Sequence, residues 1–166
     1  MCCMPEFDEH FWEKRPSMPM KVQLLSETAT LPTKAHDNDA CYDIYADIKS
    51  MGKEDISIAP HSTILINTGF ATEIPEGYWG AIFARSGMAS KMGLRPAQGV
   101  PVIDEPYRGE WKIPLHNDFN ETQVIHHGDR IAQFLLLPYF NIDFEVVDNL
   151  SETKRGNGSF GSSGKW

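Results

Sequence analysis

Cysteine is scarce and poorly spaced for cross-linking, with Cys2 and Cys3 adjacent and Cys41 alone among 166 residues. Such a set builds no disulfide framework and fits a reducing compartment. Basic residues are also few, 15 Lys and Arg against 23 Asp and Glu, for a net charge of −8. Binding along a nucleic-acid backbone rests on phosphate neutralisation, so no nucleic-acid partner is expected and the arginines serve local purposes. No apolar run approaches the roughly 20 residues that cross a bilayer. Glu6, Asp8 and Glu9 stand where a secretory signal carries basic residues. The expectation is a cytoplasmic protein with no membrane association. Helical periodicity is nearly missing too, which leaves strands to build the core.

What is present is a run of short β-forming segments divided by Gly and Pro turns. Strands are expected at 21–25, 40–46, 56–58, 63–66, 70–74, 78–83, 123–125, 130–138 and 144–147. Many short strands at close spacing predict an all-β sandwich or barrel. A hydrophobic content of 41% over this length supplies a core without staples. The one helical candidate is Ser86–Lys91, with Ser86 as its cap; Arg85, Ser86 and Gly87 then either offer a guanidinium, a hydroxyl and free amides to an anion or are an ordinary Ser cap beside a surface Arg. Residues 130–138 are apolar on both faces apart from Arg130 and Gln133, polar groups that need partners inside a strand. Asp43, inside another strand, needs one as well. Either it pairs with an arginine as scaffold, or it faces a hydrated metal ion in a cleft.

The chain is organised around residues 99–110, Gly-Val-Pro-Val-Ile-Asp-Glu-Pro-Tyr-Arg-Gly-Glu. Alternation before Glu105-Pro106 and again through Trp111, Ile113 and Leu115 predicts a β-hairpin with Asp104, Tyr107 and Arg108 at its tip. An acid held beside a flat ring suits a pocket for a base and a sugar, while an ordinary Asp-Glu-Pro turn with a packed Tyr is the plainer reading of the hairpin taken alone. Residues 1–20 mix Pro, Met, charge and aromatics without a period and form an N-terminal extension, in which Phe7, Phe11 and Trp12 are the place for a protein partner. Residues 21–150 are then the folded domain. Residues 151–166 form a flexible Gly/Ser-rich arm whose Arg155 and Phe160 suit a lid over a phosphorylated, ring-bearing ligand.

Five segments together resemble the ordered motifs of the trimeric dUTPases: Ala40–Ile44, Arg85–Ala89, Val102–Glu110, Gly128–Gln133 and Arg155–Gly164. The resemblance runs from about residue 21 to the end. It implies a jelly-roll homotrimer whose C-terminal strand and arm are exchanged between copies, with three active sites that each draw on three chains. It also implies hydrolysis of dUTP to dUMP and pyrophosphate with Mg²⁺. Asp104 matches the water-activating carboxylate, and Tyr107 the ring that packs on deoxyribose and excludes a 2′-hydroxyl. Gln98 aligns with a uracil-contacting position, with Gly99 beside it. Arg85, Ser86, Gly87 and Gln133 match phosphate-contacting residues. Arg155, Phe160, Gly161, Ser162 and Ser163 match the closing arm, with Phe160 over the uracil. Asp43 matches an acid that reaches Mg²⁺ through water, and Asp129 and Arg130 match scaffold.

Cys41, Val102 and Ser159 stand where the family often has Gly, and Pro106 where it has Asp or Gly; none removes a group that does chemistry. Val102 and Ser159 do raise a question of backbone geometry, because glycine often supplies a positive φ. Two other readings accompany the first. The related dCTP deaminases carry a catalytic glutamate ten residues after the Asp104 position, where this chain has Pro114. A nucleotide-binding regulator acting through protein contacts is the third.

Overall fold

The computed structural model describes residues 17–158. Its strands are β1 (Lys21–Leu24), β2 (Tyr42–Tyr45), β3 (Asp55–Ile58), β4 (Thr63–Ile66), β5 (Phe70–Glu73), β6 (Tyr78–Phe83), β7 (Leu94–Pro96), β8 (Val102–Ile103), β9 (Ile113–Asn117), β10 (Gln123–His126) and β11 (Arg130–Pro138). A 3₁₀ turn at Lys49–Met51 and one short helix, α1 (Ser86–Met92), complete the described elements. All pairings between strands are antiparallel, in sheets of order β1-β5, β10-β3, β2-β11-β6-β8 and β4-β9-β7. This is the expected all-β jelly roll. Among the described residues no helix is long and apolar enough to cross a membrane.

The sheets close on one core. Strand alternation sends Ile56 and Ile58, Ile113 and Leu115, and Ile131 inward, with 4% or less of each exposed. Trp111 lies at the centre, fully buried, with its ring centroid 5.4 Å from Phe70 and 4.9 Å edge-on to Phe134. Gly80 is small for this reason, since a Cβ there would stand 2.9 Å from the indole. Each large buried apolar side chain contributes about 1.5–3 kcal/mol, so this cluster carries the body of the fold.

The structure corrects four local expectations. Residues 99–115 are not a hairpin, because β8 pairs with β6 while β9 pairs with β4 and β7 in a different sheet. Burial of Trp111, whose amide donates to Phe70 O at 3.0 Å, pulls the second arm away from the first. Ser86 does not cap α1. Arg85 occupies that position with extended backbone, and Ser86 is the first helical residue. Residues 144–147 form no strand in the single chain, and Phe144 and Val146 are 89% and 97% exposed. Finally, β11 is not buried on both faces along its length: Ile131, Ala132 and Phe134 are buried, while Leu135, Leu136 and Leu137 are half-buried.

Candidate active site

The four-stranded sheet gathers the first group of polar residues by register. In β11, Gln133 lies opposite Asp43 of β2 on one side and Phe83 of β6 on the other. Arg85 follows two residues after Phe83 and turns into α1. Asp43, only 7% exposed, takes Arg85 Nε on one oxygen at 2.6 Å and an Arg130 guanidinium nitrogen on the other at 3.1 Å. A buried carboxylate is costly without such partners, so the arginine pairing, one of the two options open to Asp43 from sequence, is realised. Gln133 Nε2 donates to Ala84 O at 2.8 Å, leaving its carbonyl for a ligand. These groups line a cleft of about 320 Å³ with Ala35, Asp39, Cys41 and Ser86. Gly87 is exposed one residue further on, with nothing within 4 Å of a Cβ built there. The Cys41 thiol is pushed up, chiefly by burial, with Lys34 opposing and the Asp43 and Asp39 carboxylates adding to the rise, which keeps it protonated.

A second cleft, about 510 Å³, is lined by Gln98, Val100, Ile103, Asp104, Tyr107 and Glu110 among others. Gly99, at φ 77°, turns the chain between Gln98 and Val100. A β-turn follows β8, with Tyr107 N–H donating to Asp104 O at 3.0 Å. Pro106 is the third residue of that turn, a place where its missing N–H leaves no donor unpaired. Asp104 is exposed at its first position, and among the described residues its carboxylate takes no hydrogen bond. The Tyr107 ring is 44% exposed, and its hydroxyl donates to Glu110 O at 3.0 Å. Glu110 accepts the Thr68 and Gly69 amides at 3.2 and 2.9 Å, which fastens the far end of the loop to the body. Val102 lies in β8 with ordinary extended backbone, since His61 is the one described non-glycine residue with positive φ. The question raised by the missing glycine at 102 is answered there.

No residue lines both clefts. Ile103 pairs with Gly80, so the same register sets Asp104 beside Trp79, and Arg85 lies six residues further along the chain, two past the end of β6. At about 3.4 Å per residue that is roughly 20 Å, too far for one triphosphate chain to touch both. Arg155 lies in neither cleft; its Nε donates to Gly158 O at 3.1 Å in an exposed turn. Phe160, Gly161, Ser162, Ser163 and Ser159 lie outside the described residues, as do residues 1–16 of the expected extension.

Reading the sequence missed Asp39, Cys41 and Glu110 as lining or fastening residues. The acid-rich His36-Asp37-Asn38-Asp39 loop before β2 was a usable signal for the first of these, and the Glu110 contacts with residues 42 and 41 positions away were not. For a metal, no group of three or more His, Cys, Asp or Glu side chains is close enough to hold one among the described residues. Asp39, Asp43, Ser86 and Gln133 nevertheless give the smaller cleft an oxygen-rich lining. That chemistry suits Mg²⁺, a hard cation that keeps several waters and is commonly bound through substrate phosphates.

The family model described as dUTPase matches residues 27–164. The deoxyuridine 5′-triphosphate nucleotidohydrolase of Desulfitobacterium hafniense (strain DSM 10664 / DCB-2) is 46% identical over 119 residues, 71% of this chain and 79% of its own length. A solved structure of a mutant of the Staphylococcus bacteriophage 80alpha dUTPase with dUpNHpp is 31% identical with a TM-score of 0.77, covering 90% of this chain and 100% of that one. The dUTPase of phage phi11 of S. aureus, solved to describe coordination of a structural Mg(II) ion, is 27% identical with a TM-score of 0.71, covering 81% and 100%. With the acid, ring, guanidinium and amide positions of its motifs set around two clefts of a jelly roll, the chain belongs to the dUTPase family.

Proposed function

We propose that Asp104 is the general base in this chain's reaction, the hydrolysis of dUTP to dUMP and pyrophosphate. One observation carries the proposal: a free carboxylate lining the 510 Å³ cleft together with Tyr107, on a loop whose Glu105 and Glu110 fasten it to the body at both ends. Asp104 accepts a proton from water as the water oxygen bonds to the α-phosphorus and the bond from that phosphorus to the bridging oxygen breaks. The electron pair leaves on pyrophosphate. Tyr107 packs on deoxyribose and leaves no room for a 2′-hydroxyl, while Gln98 and the Gly99 backbone read the uracil.

Arg85, Ser86, Gly87 and Gln133 hold the phosphates, and the roughly 20 Å between them and Asp104 in one chain assigns them to a neighbouring copy. Exposed Phe140, Ile142, Phe144, Val146 and Leu150, 69% to 97% accessible, support the same reading, because an apolar segment of this length is normally covered. The assembly is a homotrimer in which residues 151–166 of one copy, with Arg155 and Phe160, close a site built by the other two. Residues 1–20 are an extension outside the 21–150 domain and the place where a protein partner would dock. Asp39 and Asp43, which line the smaller cleft, would hold Mg²⁺ through its waters, and the ion would neutralise charge on the phosphate oxygens. Arg85 and Arg155 stabilise the remaining negative charge as the transition state forms.

The test is pyrophosphate release from dUTP by the full chain and by Asp104→Asn. A loss of roughly 10²–10⁴-fold with affinity for dUpNHpp retained supports the assignment. Wild-type turnover in Asp104→Asn would end it.

A further inference from the structure

The Asp104 carboxylate takes no hydrogen bond among the described residues, so its position is set by the backbone of its turn. That turn has an unusual fastener in the next residue. Glu105, half-buried, accepts the Gly77 amide at 2.7 Å and the Tyr139 hydroxyl at 2.8 Å, both on Oε2. Tyr139 in turn donates its own amide to Gly77 O at 3.1 Å, and Arg108 donates to Glu105 O at 2.6 Å. One side chain therefore knots three pieces of the fold. These are the turn carrying Asp104, the left-handed Gly77 corner (φ 79°) between β5 and β6, and the end of β11. The C-terminal segment leaves from that last point.

The bonds are charge-assisted, a class roughly twice as strong as neutral pairs. The Tyr139 hydroxyl first, and the Gly77 amide second, hold the Glu105 carboxyl below its ordinary value, and the same bond pushes the Tyr139 phenol up. Glu105 is thus ionised throughout the neutral range. Trp79, Val102, Pro106 and Tyr139 wall a groove on this side of Asp104, so movement of Tyr139 and movement of the turn share one surface.

We infer that Glu105 and Tyr139 form a latch, a pair of positioning residues that fixes the Asp104 turn and ties it to the point where the C-terminal segment departs. The latch rests on the reading of Asp104 as general base. Its action is on chemistry rather than affinity: with the latch open the turn shifts, and a displacement near 1 Å at a reacting group costs as much as about 10²-fold.

The experiment measures single-turnover pyrophosphate release, steady-state KM and dUpNHpp affinity for Glu105→Ala, Glu105→Gln, Tyr139→Phe and Asp104→Asn in the full chain. Glu105→Ala is expected to slow the chemical step by on the order of tenfold or more with KM near that of the wild type. Glu105→Gln keeps an acceptor for both donors and is expected to return the rate to within about threefold. Tyr139→Phe, which removes one hydroxyl and keeps the ring, is expected to lie between them, and it carries the test if Glu105→Ala fails to fold. A wild-type rate in Tyr139→Phe and Glu105→Ala, a loss confined to KM, or a Gln variant as slow as the Ala variant would each overturn the latch. Asp104→Asn separates the two claims. If it keeps full turnover, the base assignment fails; if it is inactive while the latch variants are normal, the latch alone fails.

Discussion

Gly109 is the position where one added methyl group tests the sugar-contacting role of Tyr107. It is not in the left-handed region, so alanine brings no backbone strain. A Cβ there would, however, stand 2.4 Å from Tyr107 Oη, 2.6 Å from Cζ and 3.0 Å from Cε2. Ordinary contact begins at 3.4 Å, so the ring must swing by about 1 Å (3.4 less 2.4). Because the ring is 44% exposed it has room to move, and the stability lost is mainly the hydrogen bond to Glu110 O. That is worth about 0.5–1.5 kcal/mol, a few degrees in Tm for a chain of this size. Function is hit harder. A ring displaced by about 1 Å no longer closes on C2′, so kcat/KM for dUTP falls by roughly 10–100-fold while the ratio of dUTP to UTP turnover narrows. The assay is kcat/KM for both nucleotides in wild type and Gly109→Ala, with thermal unfolding as the control. Unchanged values for both substrates would refute the placement of the sugar against Tyr107.

Other predictions follow from side chains away from the cleft. Asp47, 1% exposed, accepts from the Ser26 and Thr28 hydroxyls and the Ser50 amide, with His127 Nδ1 at 3.7 Å. Burial raises its carboxyl, and these hydrogen bonds outweigh burial and hold it below the ordinary value. Its contribution is therefore present above the unfolded value of about 3.9 and is lost as pH falls through the lower folded value. Asp47→Asn should cost about 1–3 kcal/mol at pH 7 and flatten the acid limb of a Tm-versus-pH curve; an unchanged acid limb would remove Asp47 from the account. Deleting residues 155–166 should abolish dUTP turnover while sedimentation reports the same assembly, and an active truncated chain would reduce the arm to a tail.

Much of this fold was legible because period-two alternation with Gly and Pro breaks reports strands directly, and β4, β6 and β11 match their expected bounds residue for residue. Alternation does not report partners. Residues 99–115 looked like a hairpin because consecutive strands usually pair. What separates β8 from β9 is the descent of Trp111 into the core between Phe70 and Phe134, partners distant in sequence on either side. Strand β7 escaped notice because Leu94–Pro96 is three residues long and ends in proline. The expected strand at 144–147 has the right residues and no partner among the described residues of its own chain. At the site, the turns of Asp104, Tyr107 and Arg85 admitted both a pocket and an ordinary turn, and the match of their motifs to the family singled them out. Glu105 and Glu110 were not, since each acts on backbone amides far away in sequence.

The most direct measurement is pyrophosphate release from dUTP, dTTP, dCTP and UTP by the wild-type chain and Asp104→Asn, each with Mg²⁺ and with EDTA. The account predicts release from dUTP alone, abolished by EDTA and reduced roughly 10²–10⁴-fold in the variant. Equal release from dUTP and UTP, or turnover that survives loss of the Asp104 carboxylate, would contradict it.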